Sequence, residues 1–349
     1  MASIYKRLAD LLAALEDDIQ RAFLESIQGI TDEVILEQLI DAIEAGDFRR
    51  AYAGLGIMPG SLNPLMSALE IAYRHSAEFV VQGYPTHVQT SNGKVKFHFN
   101  MRDPRAEQWL RDKSSEMVTL ISEDTRINVQ STLQRGMIEG RNPRDTALDI
   151  VGRYNRATGH REGGVIGLTK DQEGWVASAR QRLSQAHLGG EAGERYLSMG
   201  LRDKRFDSTV RKAMETGKPL NKAQVENLTI RYSSAALKHR GDQIARHESM
   251  SAFNTADYDS AKQVVALGAA REKDVTRVWD DAGDKRVRHS HRELDGQRVG
   301  LDEPFVSPVS GASMMYPTDA SLGAPTKEII GCRCRARIKI DWLGAFVDD

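Results

Sequence analysis

The chain's two cysteines, Cys332 and Cys334, stand one residue apart in EIIGCRCRARIKID. His289 and His291 stand at the same spacing upstream, in WDDAGDKRVRHSHRELDGQ, with Asp281 and Asp284 just before them. Thiolate sulfur at about 2.3 Å and imidazole nitrogen at about 2.0–2.1 Å are the donors that tetrahedral zinc takes. C-x-C and H-x-H together would make a Cys₂His₂ shell, and Asp284 offers an oxygen in place of one histidine. Cys332, Cys334, His291, His289 and Asp284 are therefore the candidate ligands of a structural zinc. The spacing departs from the usual C-x-x-C and H-x-x-x-H, so a second reading stands beside the first. In it the cysteines are small buried hydrophobes and the histidines lie on a polar loop. A disulfide between the two is disfavoured: Cα atoms two apart in a strand lie about 6.6 Å from each other, near the upper limit for a bridge.

The element that must aim the thiols is a strand. With a side-chain period of two, Cys332, Cys334, Ala336, Ile338 and Ile340 face one way. Arg333, Arg335, Arg337, Lys339 and Asp341 face the other. The apolar side is expected to meet a core, which turns both thiols inward. The basic row repeats about every 6.6 Å, close to phosphate spacing, and is a candidate nucleic-acid contact. No aromatic residue interleaves with it, so a stacking platform is missing, and charged strands also simply resist edge-to-edge association.

Upstream of the module the periodicity is helical. Ile4, Leu8, Leu11, Leu12 and Leu15 recur at helical spacing, as do Ile35, Leu36, Leu39, Ile40 and Ile43 before Gly46. A third helical stretch follows SLNP through Leu65, Leu69, Ala72 and Val80. THVQTSNGKVKFHF then alternates around Asn92-Gly93 and predicts a β-hairpin over 86–99. Helix resumes with Asp103 as N-cap and Pro104 at N1, and runs to about Glu139. Asn142-Pro143 starts a short helix ending near Tyr154, and ATGHREGGVIGLT reads as a loop. Thr169 with Gln172 forms a capping box for a helix whose apolar side is Trp175, Val176, Ala179 and Leu183. A short helix closes at Gly217. Asn221 opens a long helical tract to about Leu267, with a break expected at Gly241. Within it RHESM, Arg246–Met250, reads as a solvated helix face. Beyond about Val275, VTRVW, QRVGL and RIKI are short apolar runs between turn residues. The expectation is a mostly α N-terminal and middle body with one β-hairpin, followed by a small α+β C-terminal domain. The segments are 1–84, 85–270 with the hairpin at 86–99, and 271–349.

The formal net charge of −1 hides an acidic front: residues 1–50 carry 11 acidic and 5 basic side chains. That face is solvated or docks a basic partner. No apolar run approaches the roughly 20 residues that span a bilayer, so no membrane role is expected. Asp10, Glu16, Asp17 and Asp18 interrupt the first apolar stretch and do not suit a signal peptide, so the chain reads as a soluble protein made inside the cell. GxSxG, the P-loop and GxGxxG after a strand are all missing. No catalytic residue and no organic-cofactor site is assigned.

The run VWDDAGDKRVRHSHRELDGQRV, then EPF, YPTD and EIIGCRCRARIKI, resembles the C-terminal domain of phage Mu F-like head morphogenesis proteins, the minor head proteins. The matching positions are Asp284, Arg288, His291, Gly296, Cys332, Arg333 and Cys334. IARHESMSAFNTADYD is similar to that family's lead-in helix, with His247 where a threonine is expected. The specific likeness covers about 240–340. GRNPRDTALDIVGRYNRATGHREGGVIGLT and GLRDKRFDSTVRKAMETG look like the front half of tailed-phage relatives, and the first 80 residues carry no such motif. The resemblance implies a minor structural protein inside a tailed-phage head, present in few copies or as an oligomer. It implies the portal protein and other head proteins as partners, and a role in head morphogenesis or DNA passage. Assembly would take place in the host cytoplasm, and packaged DNA is a candidate partner for Arg333, Arg335, Arg337 and Lys339. The alternative is a metal-dependent enzyme or toxin-like effector delivered with the genome. That alternative needs an open metal site and a base such as Glu293.

Overall fold

The structure, a computed structural model, describes residues 4–189 and 191–343. Helices come first: α1 (Ile4–Glu33), α2 (Leu36–Glu44), α3 (Phe48–Ala53) and α4 (Asn63–Val81). A hairpin of β1 (Val88–Thr90) and β2 (Gly93–Val95) follows, then α5 (Pro104–Ile138) and α6 (Pro143–Val151). A second hairpin, β3 (Arg153–Asn155) and β4 (His160–Glu162), leads to α7 (Lys170–Gln185), α8 (Ala192–Leu197), α9 (Asp207–Thr216) and α10 (Lys222–Ala266). The last part holds β5 (Val275–Asp280), α11 (His289–Arg292), β6 (Arg298–Gly300), β7 (Phe305–Val306), β8 (Ser313–Met314), α12 (Thr326–Ile329) and β9 (Arg335–Ile340). The mostly helical body and the small α+β end are as the periodicity predicts.

Two compact units are formed, and neither is contiguous in sequence. One draws on Met1–Gln20, Met66–Lys113 and Gln243–Asp349, as far as these are described; the other on Arg21–Leu65 and Ser114–Asp242. Texture changes near 84 and 270 mark where local pattern switches. The units follow long-range packing, so α1, α4, α5 and α10 each supply residues to both.

In the second unit Leu168, Val176, Ala179, Leu183, Val210, Leu228 and Ala236 share one apolar cluster. Four local expectations need correction, and packing explains most of them. Gly241 does not break α10: the glycine is buried, and its cost of about 1 kcal/mol relative to alanine is outweighed by packing. Trp175 is exposed, so the buried side of α7 is Val176, Ala179 and Leu183. The first hairpin turns through Ser91 and Asn92, because Thr90 pairs with Gly93, which takes φ 108° as the first residue of the return strand. Its ladder covers only three residues a side. The loop expected at 157–169 contains β4, whose partner β3 was assigned to helix. RYN and HRE are too short and too polar for an alternation signal.

In the first unit, β6-β5-β9 form an antiparallel three-stranded sheet. Trp279, Leu294, Phe305, Met314, Ala336 and both cysteines make its core. RHESM is a further correction. Arg246 is half exposed, but His247 and Glu248 are buried, with Glu248 3.4 Å from Lys113 Nζ. Burial, the larger effect, and the charges of Lys113 and Arg288 push the His247 pKa down to about 4, so it is neutral at pH 7.

Tyr73 and Asp259 are buried in the same unit, and the Tyr73 hydroxyl donates to Asp259 Oδ2 at 2.5 Å. Burial raises the Asp259 carboxyl to about 6, while Tyr73 and Arg105 oppose. An unfolded aspartate titrates near about 3.9. Below about pH 4 both states hold the proton; between about 4 and 6 only the folded state does, so this group's contribution is lost as pH rises through that window. Asp259→Asn keeps an acceptor for Tyr73 and removes the charge. It is expected to raise stability relative to the natural chain by about 1–3 kcal/mol at pH 8 and by much less at pH 4. Paired denaturation curves at the two pH values check this.

Candidate metal centre

β5 and β9 pair from Val275↔Ile340 to Asp280↔Arg335, which brings the segment after β5 against the segment before β9. The first of these turns at Asp284, whose Oδ1 accepts the Arg286 amide at 2.8 Å, and enters α11 with His291 buried on its inner side. The second leaves α12 through Gly331 at φ 65°, a conformation favouring glycine, and passes through Cys332 and Cys334 before β9 begins at Arg335. Both cysteines precede the ladder, yet burial already alternates from 332 onward: Cys332, Cys334 and Ala336 are buried, while Arg333 and Arg335 are partly exposed.

The thiols meet one imidazole. His291 Nδ1 lies 3.4 Å from Cys332 Sγ and 3.5 Å from Cys334 Sγ, and all three side chains are buried. Their donor atoms fall within 4.8 Å of one another. On the far side of the ring, Nε2 is 3.0 Å from Glu328 Oε2, within ion-pair distance but not aligned as a hydrogen bond. Glu328 also accepts from the Ser290 hydroxyl at 2.8 Å. Trp279 packs edge-to-face on the imidazole at 5.2 Å. The Asn254 side-chain amide donates to the Cys334 carbonyl at 3.1 Å, so α10 holds the cysteine segment directly.

Two crossed arginine contacts lock the segments together. Arg333 grips Asp284 with both Nη atoms at 2.5 and 2.7 Å and holds that carboxyl well below the usual range. Arg288 donates to the carbonyls of Ile330 and Glu328. Gly296, at φ 78°, closes the turn by donating to the Trp279 carbonyl at 2.9 Å.

The two thiols titrate as a pair. Hydrogen bonds from the Cys334 thiol and amide, with lesser fields from Arg288 and Arg333, lower Cys332 against the opposing effect of burial. The same thiol contact, reinforced by burial, raises Cys334. Two buried thiols converging on one imidazole offer a metal soft sulfur donors. An imidazole whose far nitrogen faces a carboxylate is the usual outer arrangement of a metal-bound histidine. Donor chemistry, burial and convergence therefore fit zinc.

Of the five ligands expected from spacing, the structure gathers His291, Cys332 and Cys334. His289 is largely exposed and sits 3.7 Å from Glu293, because residues two apart on a helix diverge by about 200°. Asp284 spends both oxygens on Arg333. Glu328, Trp279 and Asn254 went unnoticed in the sequence, although Glu328 stands four residues before Cys332. The basic row is likewise engaged within the chain. Arg335 and Arg337 reach Asp280 at 2.6 and 3.4 Å, and Arg335 lies over the Tyr5 ring.

Part of the chain is similar to known proteins. Residues 204–337 match the family described as phage Mu protein F like protein. A Bacillus subtilis (strain 168) protein, described only as uncharacterized protein YqbB, is 28% identical over 124 residues, 35% of this chain. This chain covers 37% of that relative's length. No solved structure matches. Over residues 204–337, then, this chain is similar to the phage Mu protein F like family.

Proposed function

We propose that the protein is a minor component of a tailed-phage head, placed in few copies near the portal vertex. In this reading it works in head morphogenesis and DNA passage with the portal and other head proteins as partners, and resides in the virion after assembly in the host cytoplasm. One observation carries it: residues 204–337 match the Mu F-like family, and within that span His291, Cys332 and Cys334 meet in one buried cluster. The centre is proposed to bind one structural zinc through His291, Cys332 and Cys334. Glu328 would orient the imidazole, and the metal would pin the segment after β5 to the segment before β9.

The effector alternative draws less support. Glu293, the base suggested for it, is half exposed and faces His289. DNA contact through the basic row would have to displace the Asp284 and Asp280 pairs of Arg333 and Arg335. The assembly reading is tested by quantitative mass spectrometry of purified virions and proheads. The expected result is this chain in both, at a few copies per particle; its consistent absence from both would end the proposal.

A further inference from the structure

We infer that the His291–Cys332–Cys334 centre is open, and that its fourth position takes a small anion of the carboxylate class from an adjoining arginine-lined cavity. The inference rests on the metal reading above and adds a ligand to it.

Tetrahedral zinc needs four donors. Among the described residues, no further histidine, cysteine or carboxylate joins the three within 4.8 Å. Of the two other candidates, His289 is largely exposed and Asp284 is held by Arg333. The three donors line a cavity of about 100 Å³ whose other walls include Arg286, Arg288 and Arg333. A single water needs only about 10–15 Å³ of such volume, so an anion of a few atoms has room. Arg286 is 80% exposed, so the cavity borders solvent and a ligand can enter.

Charge decides which ligand. A divalent ion with two thiolates and a neutral imidazole carries no net charge. Of the three guanidiniums, Arg333 is paired with Asp284, and Arg288 donates to two carbonyls but keeps its charge. Arg286 and Arg288 therefore leave the cavity positive, while Glu328 lies at the opposite edge of the histidine ring. Such a cavity favours an anion over water. Guanidinium forks match carboxylate geometry in particular. No carboxylate is among the cavity's lining residues, so a metal-bound water there would have no acidic side chain beside it to take its proton. Coordination rather than hydrolysis is what this arrangement supports.

The test uses the full chain loaded with cobalt(II), whose visible bands report ligand number and type. Sodium acetate and sodium azide are titrated separately against sodium perchlorate at matched ionic strength, which holds screening constant. The expected result is a saturable spectral shift with acetate and azide and none with perchlorate. Arg286→Ala, which removes an exposed side chain 3.7 Å from Asp284, should leave the cobalt spectrum intact. It should weaken acetate binding by about two- to fivefold. A cobalt spectrum that neither anion moves overturns the inference and leaves the metal centre standing as a closed site. Failure to bind cobalt or zinc at all removes the metal reading and the inference with it. Equal acetate affinity in Arg286→Ala overturns the role given to the arginines.

Discussion

Cys332→Ser is expected to abolish stoichiometric zinc and to loosen the C-terminal module while the rest of the chain stays folded. Mutation of outer residues around a metal typically costs 10–100-fold in affinity, and loss of one of three protein donors should exceed about 100-fold. Binding free energy at a structural zinc is also folding free energy. Here it would act on short segments: the turn at 281–287, α11 of four residues, and the irregular run at 332–334. Elemental analysis of the untagged natural protein should give about one zinc per chain. Hydrogen exchange should then show faster opening at 281–297 and 328–340 in Cys332→Ser, with the helices of the other unit unchanged. A chelator should reproduce the effect. The contrary outcome is equally specific: no zinc, no effect of chelator, and a cost for Cys334→Ala of no more than about 1–3 kcal/mol. That would make the cysteines core filling.

Arg277→Met should destabilise the same module by about 3–5 kcal/mol. Arg277 sits in the middle of β5 and is fully buried. Its Nε donates to the Gly300 carbonyl at 3.0 Å, and its Nη atoms reach the carbonyls of Met315 and Glu303. Its guanidinium lies 5.2 Å from the ring centres of both Tyr258 and Phe305. Methionine fills most of the volume but leaves three carbonyls short of a donor, each at about 1–3 kcal/mol. Burial already lowers the Arg277 pKa, yet arginine remains charged at any working pH. Lysine keeps the charge and loses the fork, so Arg277→Lys should fall between methionine and the natural chain. Denaturant unfolding, with hydrogen exchange at 298–316 to localise the change, measures this. A cost for Arg277→Met below about 1 kcal/mol would mean that water or backbone shifts satisfy the carbonyls.

Where local chemistry alone fixes the backbone, the sequence was sufficient. Thr169 with Gln172, Asp103 with Pro104, Asn142 with Pro143 and Gly217 each sit where their cap or stop signal puts them. The period-two run from Cys332 to Ile340 turns both thiols inward as expected, although the strand itself begins only at Arg335 and the alternation of burial extends three residues ahead of it. The same rule explains one failure. H-x-H on a strand would converge, but His289 and His291 lie on α11, where one is exposed and the other buried.

Tertiary structure decided what depends on distant partners. Gly241 stays helical, and His247 and Glu248 are buried, because packing against other elements outweighs propensity and polarity. Asp284 looked like a ligand by its charge and position, and Arg333, 49 residues away, claims it. Glu328 and Asn254 reach the centre from α12 and α10, at sequence distances from His291 that no spacing rule relates. A residue's type and its local period set which way it points. What it meets there is set by long-range contacts, and in this chain those contacts gather three of the five candidate ligands and give Asp284 to Arg333, while His289 stays exposed.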